Sequence, residues 1–204
     1  MNTQVTEVCS LSSELPTDPQ HAPAWLVSAL QVPREEGWID SGGCKVHYFR
    51  WGNPENPPLL LMHGFLAHAR CFAFIAPFLA EHYHVVAYDL SGMGDSEARE
   101  SYPDKIRAQE VVDVARGTGL FEHDAKPIVI AHSYGGHVGL SAMEHHGELF
   151  DGLIICDLMV LRVERLKAHF SNGKPMRSDR SRPNRIYPDY ASARARFVLS
   201  PPQA

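Results

Sequence analysis

Residues 127–136 read Pro-Ile-Val-Ile-Ala-His-Ser-Tyr-Gly-Gly, a short apolar run that leads directly into a serine between small residues. The β-branched side chains of residues 128–130 follow a proline and predict a buried strand of a parallel sheet. The residues from Tyr134 to His146 carry apolar side chains near helical spacing, which predicts a helix. Ser133 therefore falls at a strand-to-helix turn, which is the setting of a nucleophile elbow.

The elbow pattern is Gly-x-Ser-x-Gly, and here Ala131 stands for the first glycine while Gly135 supplies the second. Larger side chains at these positions would collide with the strand and the helix that cross there. The helix that begins after Ser133 also points backbone N–H groups and the positive end of its dipole at an oxyanion formed beside the hydroxyl. On this pentapeptide alone, an ordinary strand-helix turn that contains a serine is an equal alternative, because five-residue patterns recur by chance.

Two further stretches of the sequence favour a nucleophile elbow over an ordinary strand-helix turn. Residues 59–65 read Leu-Leu-Leu-Met-His-Gly-Phe, and residues 85–96 read Val-Val-Ala-Tyr-Asp-Leu-Ser-Gly-Met-Gly-Asp-Ser. Together with the elbow, these motifs occur in an order that resembles the α/β-hydrolase superfamily over about residues 38–157, in its capped members with a serine nucleophile. The resemblance implies an α/β fold with a doubly wound, mainly parallel sheet that is incomplete at its C-terminal edge.

The resemblance also assigns catalytic roles. Ser133 would be the nucleophile, and the backbone N–H groups of Phe65 and Tyr134 would form the oxyanion hole. The residues expected to line the site are His63, Gly64 and His132, and His63 would be structural or site-lining rather than the general base. Asp157 has two interpretations, because some members place the catalytic acid directly after this strand, whereas the alternative is an aspartate that caps the strand end.

The general base is missing from the pattern. The family places this histidine after the last strand of the sheet, and the sequence contains no such strand. The histidines that follow Ser133 are His137, His145, His146 and His169, and none matches the family position. We therefore expect the N-terminal part of a serine hydrolase that cleaves an ester or similar acyl bond through an acyl-enzyme, truncated and impaired as a 204-residue chain.

The alternative is a catalytically inactive α/β-hydrolase-like binding protein or fragment. In either case an open sheet edge predicts self-association or a partner at that edge. A serine at the elbow argues against the relatives that use aspartate there, namely haloalkane dehalogenases and epoxide hydrolases. It does not separate an esterase from a lactonase, an amidase, a carbon-carbon bond hydrolase or a cofactor-free haloperoxidase.

The domain prediction has three parts: an N-terminal leader over residues 1–35, an α/β-hydrolase core over 36–157, and the start of a helical cap over 158–204. Within these parts the pattern predicts a hairpin over residues 38–51 and helices over 67–81, 104–116, 158–170 and 189–199. A strand is predicted over 152–156, a loop over 117–126 and another over 171–188.

Composition limits the other classes of function. A net charge of -5 and an isoelectric point near 6.2 give no basic footprint for nucleic acid. The four cysteines are scattered without CxxC spacing and the start of the chain lacks a secretory signal, which favours a cytoplasmic protein. The twelve histidines show no metal-ligand spacing, and no stretch reaches the length of a membrane span. The sequence thus predicts a small-molecule substrate and neither a metal nor a cofactor.

Overall fold

A computed structural model describes residues 4–9, 22–158 and 187–195. The chain divides into two compact units, Met1–Met159 and Val160–Ala204. The strands of the first unit are β1 (Gln4–Cys9), β2 (Arg34–Ser41), β3 (Cys44–Trp51), β4 (Pro58–Met62), β5 (His84–Tyr88), β6 (Ile128–His132) and β7 (Gly152–Cys156). Its helices are α1 (Ala24–Leu30), α2 (Ala76–Leu79), α3 (Asp104–Gly117) and α4 (Tyr134–His146), with short 3-10 helices at Ala69–Phe72 and Gly147–Leu149.

The seven strands of the described residues form one sheet in the order β1-β2-β3-β5-β4-β6-β7. The pairs β1–β2, β2–β3 and β3–β5 are antiparallel. The pairs β5–β4, β4–β6 and β6–β7 are parallel. The chain leaves β4 for β5 on one side and then crosses to β6 on the other side, so β4 lies at a topological switch point. In open α/β sheets, ligands bind at the carboxyl ends of the strands beside such a point.

Two apolar clusters cover the two faces of the sheet. Alternate residues of a strand point to opposite faces of its sheet. In β4, Leu60 and Met62 belong to the cluster that includes α3 and α4, whereas Leu59 and Leu61 belong to the cluster on the opposite face. The second cluster includes Ala76 of α2. Helices therefore cover both faces, and the predicted doubly wound α/β fold is confirmed.

The β2–β3 hairpin confirms the prediction for residues 38–51. Ser41 pairs with Cys44, and the two residues between them, Gly42 and Gly43, have φ values of 58° and 80°. Positive φ at both central residues is the requirement of a type I′ turn, which glycine meets without strain. The sequence did not predict β1, which pairs antiparallel with β2 within the stretch interpreted as a leader.

The continuous helix predicted over residues 67–81 is wrong. The chain instead forms the 3-10 helix Ala69–Phe72 and the short α2, and Pro77 lies in the first turn of α2. Proline is tolerated in the first turn of a helix but not in its interior, where it lacks an N–H group and its ring clashes with the preceding turn. Pro77 therefore begins a new helix and cannot continue the 3-10 helix that precedes it.

The other predicted elements of the first unit agree with the structure to within a residue or two. The helix predicted to end at Arg116 ends at Gly117, and the predicted bounds of α4 and β7 are confirmed. In the second unit, the predicted helix over 189–199 contains α5 (Tyr190–Arg194), which begins where the Asp189 carboxylate accepts the Ser192 N–H at 2.7 Å. The predictions for residues 159–186 lie outside the described residues.

Candidate active site

Ser133 occupies a strained backbone turn between β6 and α4. Its φ and ψ are 50° and -117°, a conformation that residues other than glycine rarely adopt. The Ser133 N–H donates to the Cys156 carbonyl oxygen at 2.9 Å, and the Ser133 carbonyl accepts the Gly136 N–H at 2.8 Å. These two hydrogen bonds hold the turn against β7 on one side and in the first turn of α4 on the other. The side chain is half-buried at the carboxyl end of the sheet.

Glycines allow the chain to pack closely around this turn. A methyl group on Gly135 would lie 2.6 Å from the His63 carbonyl oxygen and 2.9 Å from that of Met62. A methyl group on Gly64 would lie 3.2 Å from the Ser133 Cβ and 3.0 Å from the His132 Nδ1. A side chain at Gly135 would therefore displace backbone atoms, in agreement with the steric argument for a small residue there, and one at Gly64 would be tightly packed against the elbow.

The loop after β4 brings Phe65 beside the elbow. The Ala67 N–H donates to the Gly64 carbonyl at 3.2 Å, which closes a tight turn around Phe65 and Leu66. The rings of Phe65 and Tyr134 pack edge to face, with centroids 5.8 Å apart and an interplanar angle of 71°. Among the described residues, no group accepts a hydrogen bond from the backbone N–H of Phe65 or Tyr134. Both amides are therefore free to bind an oxyanion.

His63 is fully buried, and both of its ring nitrogens have partners. Its Nδ1 donates to the Gly64 carbonyl at 2.7 Å, and its Nε2 accepts the Leu90 N–H at 3.0 Å. A carbonyl can only accept and an amide can only donate, so these partners define the neutral tautomer. Burial lowers the pKa of His63 below its ordinary value of 6.5, which agrees with a neutral ring. The geometry supports the structural interpretation of His63, which joins the ends of β4 and β5.

The histidines close to Ser133 in sequence and within the described residues, which are His132, His137 and His145, make no hydrogen bond to its hydroxyl. His132 is exposed, and its ring lies beside Gly64. His145 makes a hydrogen bond from its Nδ1 to the Ser141 carbonyl on α4 at 2.9 Å. In the part of the chain that the structure describes, no hydrogen bond joins the Ser133 hydroxyl to an imidazole. His169 lies outside the described residues.

Asp157 is exposed and directly follows β7. His132 and Cys156 pair in the sheet, so Ser133 and Asp157 each come one residue after a paired position of neighbouring strands. The φ of Asp157 is 55°, which makes it a second strained residue at this edge. Its carboxylate has no hydrogen bond within the described ranges, so its contacts favour neither the acid nor the strand-end interpretation.

Leu66 is a position that the sequence analysis missed. Its φ is 57°, and with Ser133 and Asp157 it completes the set of non-glycine residues with positive φ in the described part of the chain. The three residues follow β4, β6 and β7, which are neighbours in the sheet. Strained backbone clusters at functional sites. No sequence signal identifies Leu66, because leucine is an unusual residue for this backbone conformation.

A buried charged cluster supports the loops at the same end of the sheet. His47 is fully buried between Asp89 and Glu36, with 2.8 Å from Nδ1 to Asp89 Oδ2 and 2.8 Å from Nε2 to Glu36 Oε1. Burial alone would lower the pKa of His47, but hydrogen bonds and charges from these two carboxylates raise it overall. Asp89 also accepts the Asp95 N–H at 2.9 Å, which holds the loop after β5.

One set of side chains in the described residues has the spacing of metal ligands. Donor atoms of Glu36, His47 and Asp95 lie within 4.8 Å of one another. However, the His47 Nε2 already contacts Glu36, and Arg70 lies 3.7 Å from the Glu36 carboxylate and 3.5 Å from that of Asp95. Cationic side chains thus already balance these carboxylates, and the set forms an ion-pair cluster.

Comparison with known proteins agrees with this fold. A sequence profile described as "Alpha/beta hydrolase family" matches residues 59–204. Epoxide hydrolase 3 from Xenopus tropicalis is 30% identical over 137 residues, which cover 66% of this chain and 36% of the relative. The uncharacterized hydrolase YugF from Bacillus subtilis is 32% identical over 117 residues, covering 55% of this chain and 41% of the relative. The chain belongs to the alpha/beta hydrolase family.

Among solved structures, the thioesterase domain from the curacin biosynthetic pathway superposes with a TM-score of 0.63 at 26% identity, over 80% of this chain and 60% of that domain. The chain spans less than half the length of the two relatives named above. None of the helices in the described ranges has the length and apolar character that crossing a membrane requires.

Proposed function

We propose that the protein is a serine hydrolase in which Ser133 attacks an ester or a similar acyl bond. The observation that carries this proposal is the backbone of Ser133, with φ at 50° between a parallel strand and a helix. A serine held in this conformation presents its hydroxyl at the carboxyl end of the sheet. A residue with only a structural role has no need of a strained turn.

The proposed chemistry has two steps. First, a bond forms between the Ser133 Oγ and the acyl carbon, the bond to the leaving group breaks, and the serine proton passes through a base to that group. The N–H groups of Phe65 and Tyr134 stabilise the oxyanion of the tetrahedral intermediate, aided by the N-terminus of α4. Water then adds to the acyl carbon, the acyl–Oγ bond breaks, and a carboxylic acid and free serine result.

The general base of this proposal is an imidazole that the described residues do not place at Ser133. Asp157 is the candidate acid that would orient it, since this carboxylate follows the strand next to the elbow strand. In a serine triad, attack without the base is severely slowed. The described residues therefore supply the proposed nucleophile and oxyanion donors, and we expect low turnover from the 204-residue chain.

Apolar side chains beside the elbow favour a substrate with an apolar group. Phe65 is 57% exposed and Leu66 is 81% exposed, and both lie in the loop that contacts the elbow through Gly64. Exposed apolar surface at a site of this kind is available to bind an apolar acyl or leaving group. Hydrolysis of an epoxide, which the name of one relative suggests, is disfavoured because the resemblance implies an aspartate nucleophile in epoxide hydrolases.

Two further proposals complete this account. We propose that residues 158–204 begin a cap that selects substrates, as the resemblance implies. We also propose a cytoplasmic location, because Cys44, Cys71 and Cys156 are free thiols in the described part of the chain.

A second candidate function is binding without catalysis, and the edge of the sheet favours it. Strand β7 pairs with β6 on one side, and it ends the strand order among the described residues. Ile154 and Ile155 on this strand are 51% and 37% exposed. An exposed apolar edge strand is a template for pairing with another chain.

Labelling with a fluorophosphonate tests the first candidate. In this reaction the serine Oγ–phosphorus bond forms and the phosphorus–fluorine bond breaks. Because no described imidazole contacts the hydroxyl, we expect the 204-residue chain to be labelled slowly, so the reagent is used in large excess over a long exposure. We expect peptide mapping to find the phosphonyl group on Ser133, and Ser133→Ala to abolish it. Ser141→Ala is the matched control, because Ser141 lies on the same helix and its hydroxyl donates to the Asp104 carbonyl. Equal labelling of several serines would contradict the nucleophile assignment and leave the binding function.

A further inference from the structure

A buried ion-pair cluster lies on α3 and has no role in the steps proposed above. Glu110 is fully buried and Arg107 is 3% exposed. The Oε2 of Glu110 accepts two hydrogen bonds from Arg99, at 3.1 Å from Nε and 3.0 Å from Nη2. Its Oε1 accepts Arg107 Nη1 at 3.3 Å and the Ser91 N–H at 3.0 Å. The buried carboxylate is therefore fully partnered, as such a charge must be.

The guanidinium of Arg107 reaches past Glu110 to two aromatic rings. Its central carbon lies 4.4 Å from the centroid of the Tyr102 ring and 6.0 Å from that of Tyr134. Its Nη1 also donates to the Ser91 hydroxyl at 2.9 Å, which fixes the plane of the group. The distance to Tyr102 is well within the range of cation–π attraction, and the distance to Tyr134 is at its outer limit. Within the described ranges, Arg99 lies over no aromatic ring.

The Arg107 contact matters because of the residue it holds. Tyr134 follows the proposed nucleophile and supplies one of the proposed oxyanion donors. Its ring packs edge to face on Phe65, which supplies the other. A continuous series of contacts thus runs from Glu110 through Arg107 and Tyr134 to Phe65. The two amides that must converge on one oxyanion belong to the two residues at the end of this series.

We infer that Arg107 is a positioning residue for the oxyanion hole: it fixes the Tyr134 ring and, through it, the Phe65 loop. This inference rests on the proposed function. Oxyanion donors act because they are held in place before the reaction, and a misplacement of about 1 Å can lower a rate by roughly a hundredfold. The strained turn at Ser133 also requires surroundings that over-determine its geometry, and a buried guanidinium that donates from Nη1 to both Ser91 and Glu110 supplies such a support.

Two matched substitutions separate this role from general support of the core. Arg107→Met and Arg99→Met each leave Glu110 with one arginine, but only Arg107→Met removes the contact with Tyr134. The rate of labelling of Ser133 by an alkyl fluorophosphonate is measured against reagent concentration in the full 204-residue chain. We expect Arg107→Met to lower the maximum rate about tenfold, less than the loss for removing a donor outright. The half-saturating concentration should change by less than about twofold, and Arg99→Met should change both values by less than about twofold.

Arg107→Lys tests the planar group itself, because lysine keeps the charge that Glu110 requires but lacks the flat guanidinium. We expect its labelling rate to lie between those of the wild type and Arg107→Met. If Arg107→Met lacks the wild-type circular dichroism spectrum, Arg107→Lys takes its place in every comparison.

A second readout does not depend on a reactive serine. Hydrogen exchange followed by NMR reports on the Ala67 and Ser133 amides, whose hydrogen bonds to Gly64 and Cys156 hold the two loops of the site. We expect Arg107→Met, and not Arg99→Met, to speed the exchange of both amides about tenfold. If the wild-type chain is not labelled at Ser133, the proposed function fails and the exchange data still decide the positioning role. Equal effects of the two methionine variants, or unchanged exchange in Arg107→Met, would overturn it.

Discussion

Ser133 donates its backbone N–H to the Cys156 carbonyl at 2.9 Å, so the strained serine turn is tied to the neighbouring strand. Asp157 follows Cys156 and also has a positive φ. The ends of β6 and β7 are therefore fixed to each other at the point where each strand leaves the sheet. This relationship explains how a sharp turn at the end of a five-residue strand keeps a defined conformation.

The close approach of α4 to β4 predicts a steric effect at Gly135. A methyl group there would meet two backbone carbonyls, at 2.6 Å and 2.9 Å, and backbone atoms cannot move aside cheaply. We expect Gly135→Ala to lower the free energy of unfolding by about 2 kcal/mol, measured by urea denaturation.

The matched control is Gly147→Ala. Nothing lies within 4 Å of a methyl group at this position, and the φ of Gly147 is -58°. This change should raise the free energy of unfolding by about 0.5 kcal/mol, because alanine restricts the unfolded chain. Equal effects at the two glycines would show that the elbow is looser than its geometry implies.

Substitutions at Leu66, whose backbone is strained, should affect the free energy of unfolding and the binding of substrate differently. Leu66 is 81% exposed and packs little, so Leu66→Gly relieves the strain of a φ of 57° at little loss of contact. We expect a gain of up to about 1 kcal/mol in the free energy of unfolding. Leu66→Ala keeps the strain, so it should bring no such gain.

If Leu66 binds an apolar substrate group, both variants should also reduce the preference of Ser133 for long-chain over short-chain fluorophosphonates. A preference that stays unchanged in both variants would remove Leu66 from the binding site.

His47 gives the stability a dependence on pH. Its carboxylate partners raise its pKa in the folded state above 6.5, against the effect of burial. The stability that it contributes is therefore fully present below pH 6.5 and is lost as the pH rises through the raised folded value. We expect the urea midpoint of the wild type to fall above pH 6.5, and His47→Gln to lack this fall.

His84 serves as the control of opposite sign. Burial, followed by the charge of Arg50, lowers its pKa from 6.5 to about 4. A histidine whose pKa is lowered in the folded state contributes stability that is present above pH 6.5 and is lost as the pH falls toward 4. The loss is roughly 3 kcal/mol at most. His84→Leu should therefore reduce the loss of stability between pH 6.5 and 4 and leave the stability above pH 6.5 with the same pH dependence as in the wild type. The same pH profile for both variants would be incompatible with these environments.

The open edge of β7 predicts self-association. Ile154 is 51% exposed on this strand, and its backbone has a partner on one side only among the described residues. We expect sedimentation velocity to show species larger than a monomer, and Ile154→Lys to reduce them, because an edge charge opposes strand pairing. Leu140→Lys is the control, since Leu140 is 43% exposed but lies on α4. A monodisperse wild-type monomer would refute this prediction.

Much of the fold could be predicted because its signals are local. Short apolar runs identify β4, β5 and β6, and the apolar spacing identifies α3 and α4. Strand β1 was missed because apolar and polar residues do not alternate regularly in Gln4–Cys9, and the segment forms a strand by pairing with β2. The split at Pro77 follows from the chemistry of proline, which outweighed the helical spacing around it.

The candidate site was predictable only where a residue's role depends on the turn it occupies. Ser133 and Gly135 follow from the strand-turn-helix pattern. The contact of Arg107 with Tyr134 could not be predicted, because it depends on how α3 packs against α4. The positive φ of Leu66 likewise could not be predicted, because the turn has leucine at the position where glycine is expected.

The central claim is that Ser133 carries the acyl group, and trapping that intermediate tests it most directly. The chain is mixed with p-nitrophenyl acetate, quenched in acid and mapped by mass spectrometry. We expect one acetyl group on the peptide that contains Ser133 and none in Ser133→Ala. Turnover should stay near background rather than at the typical enzyme value of about 10 per second, because no described imidazole contacts the serine. An acetyl group on another residue, or turnover well above background that Ser133→Ala leaves unchanged, would contradict the account.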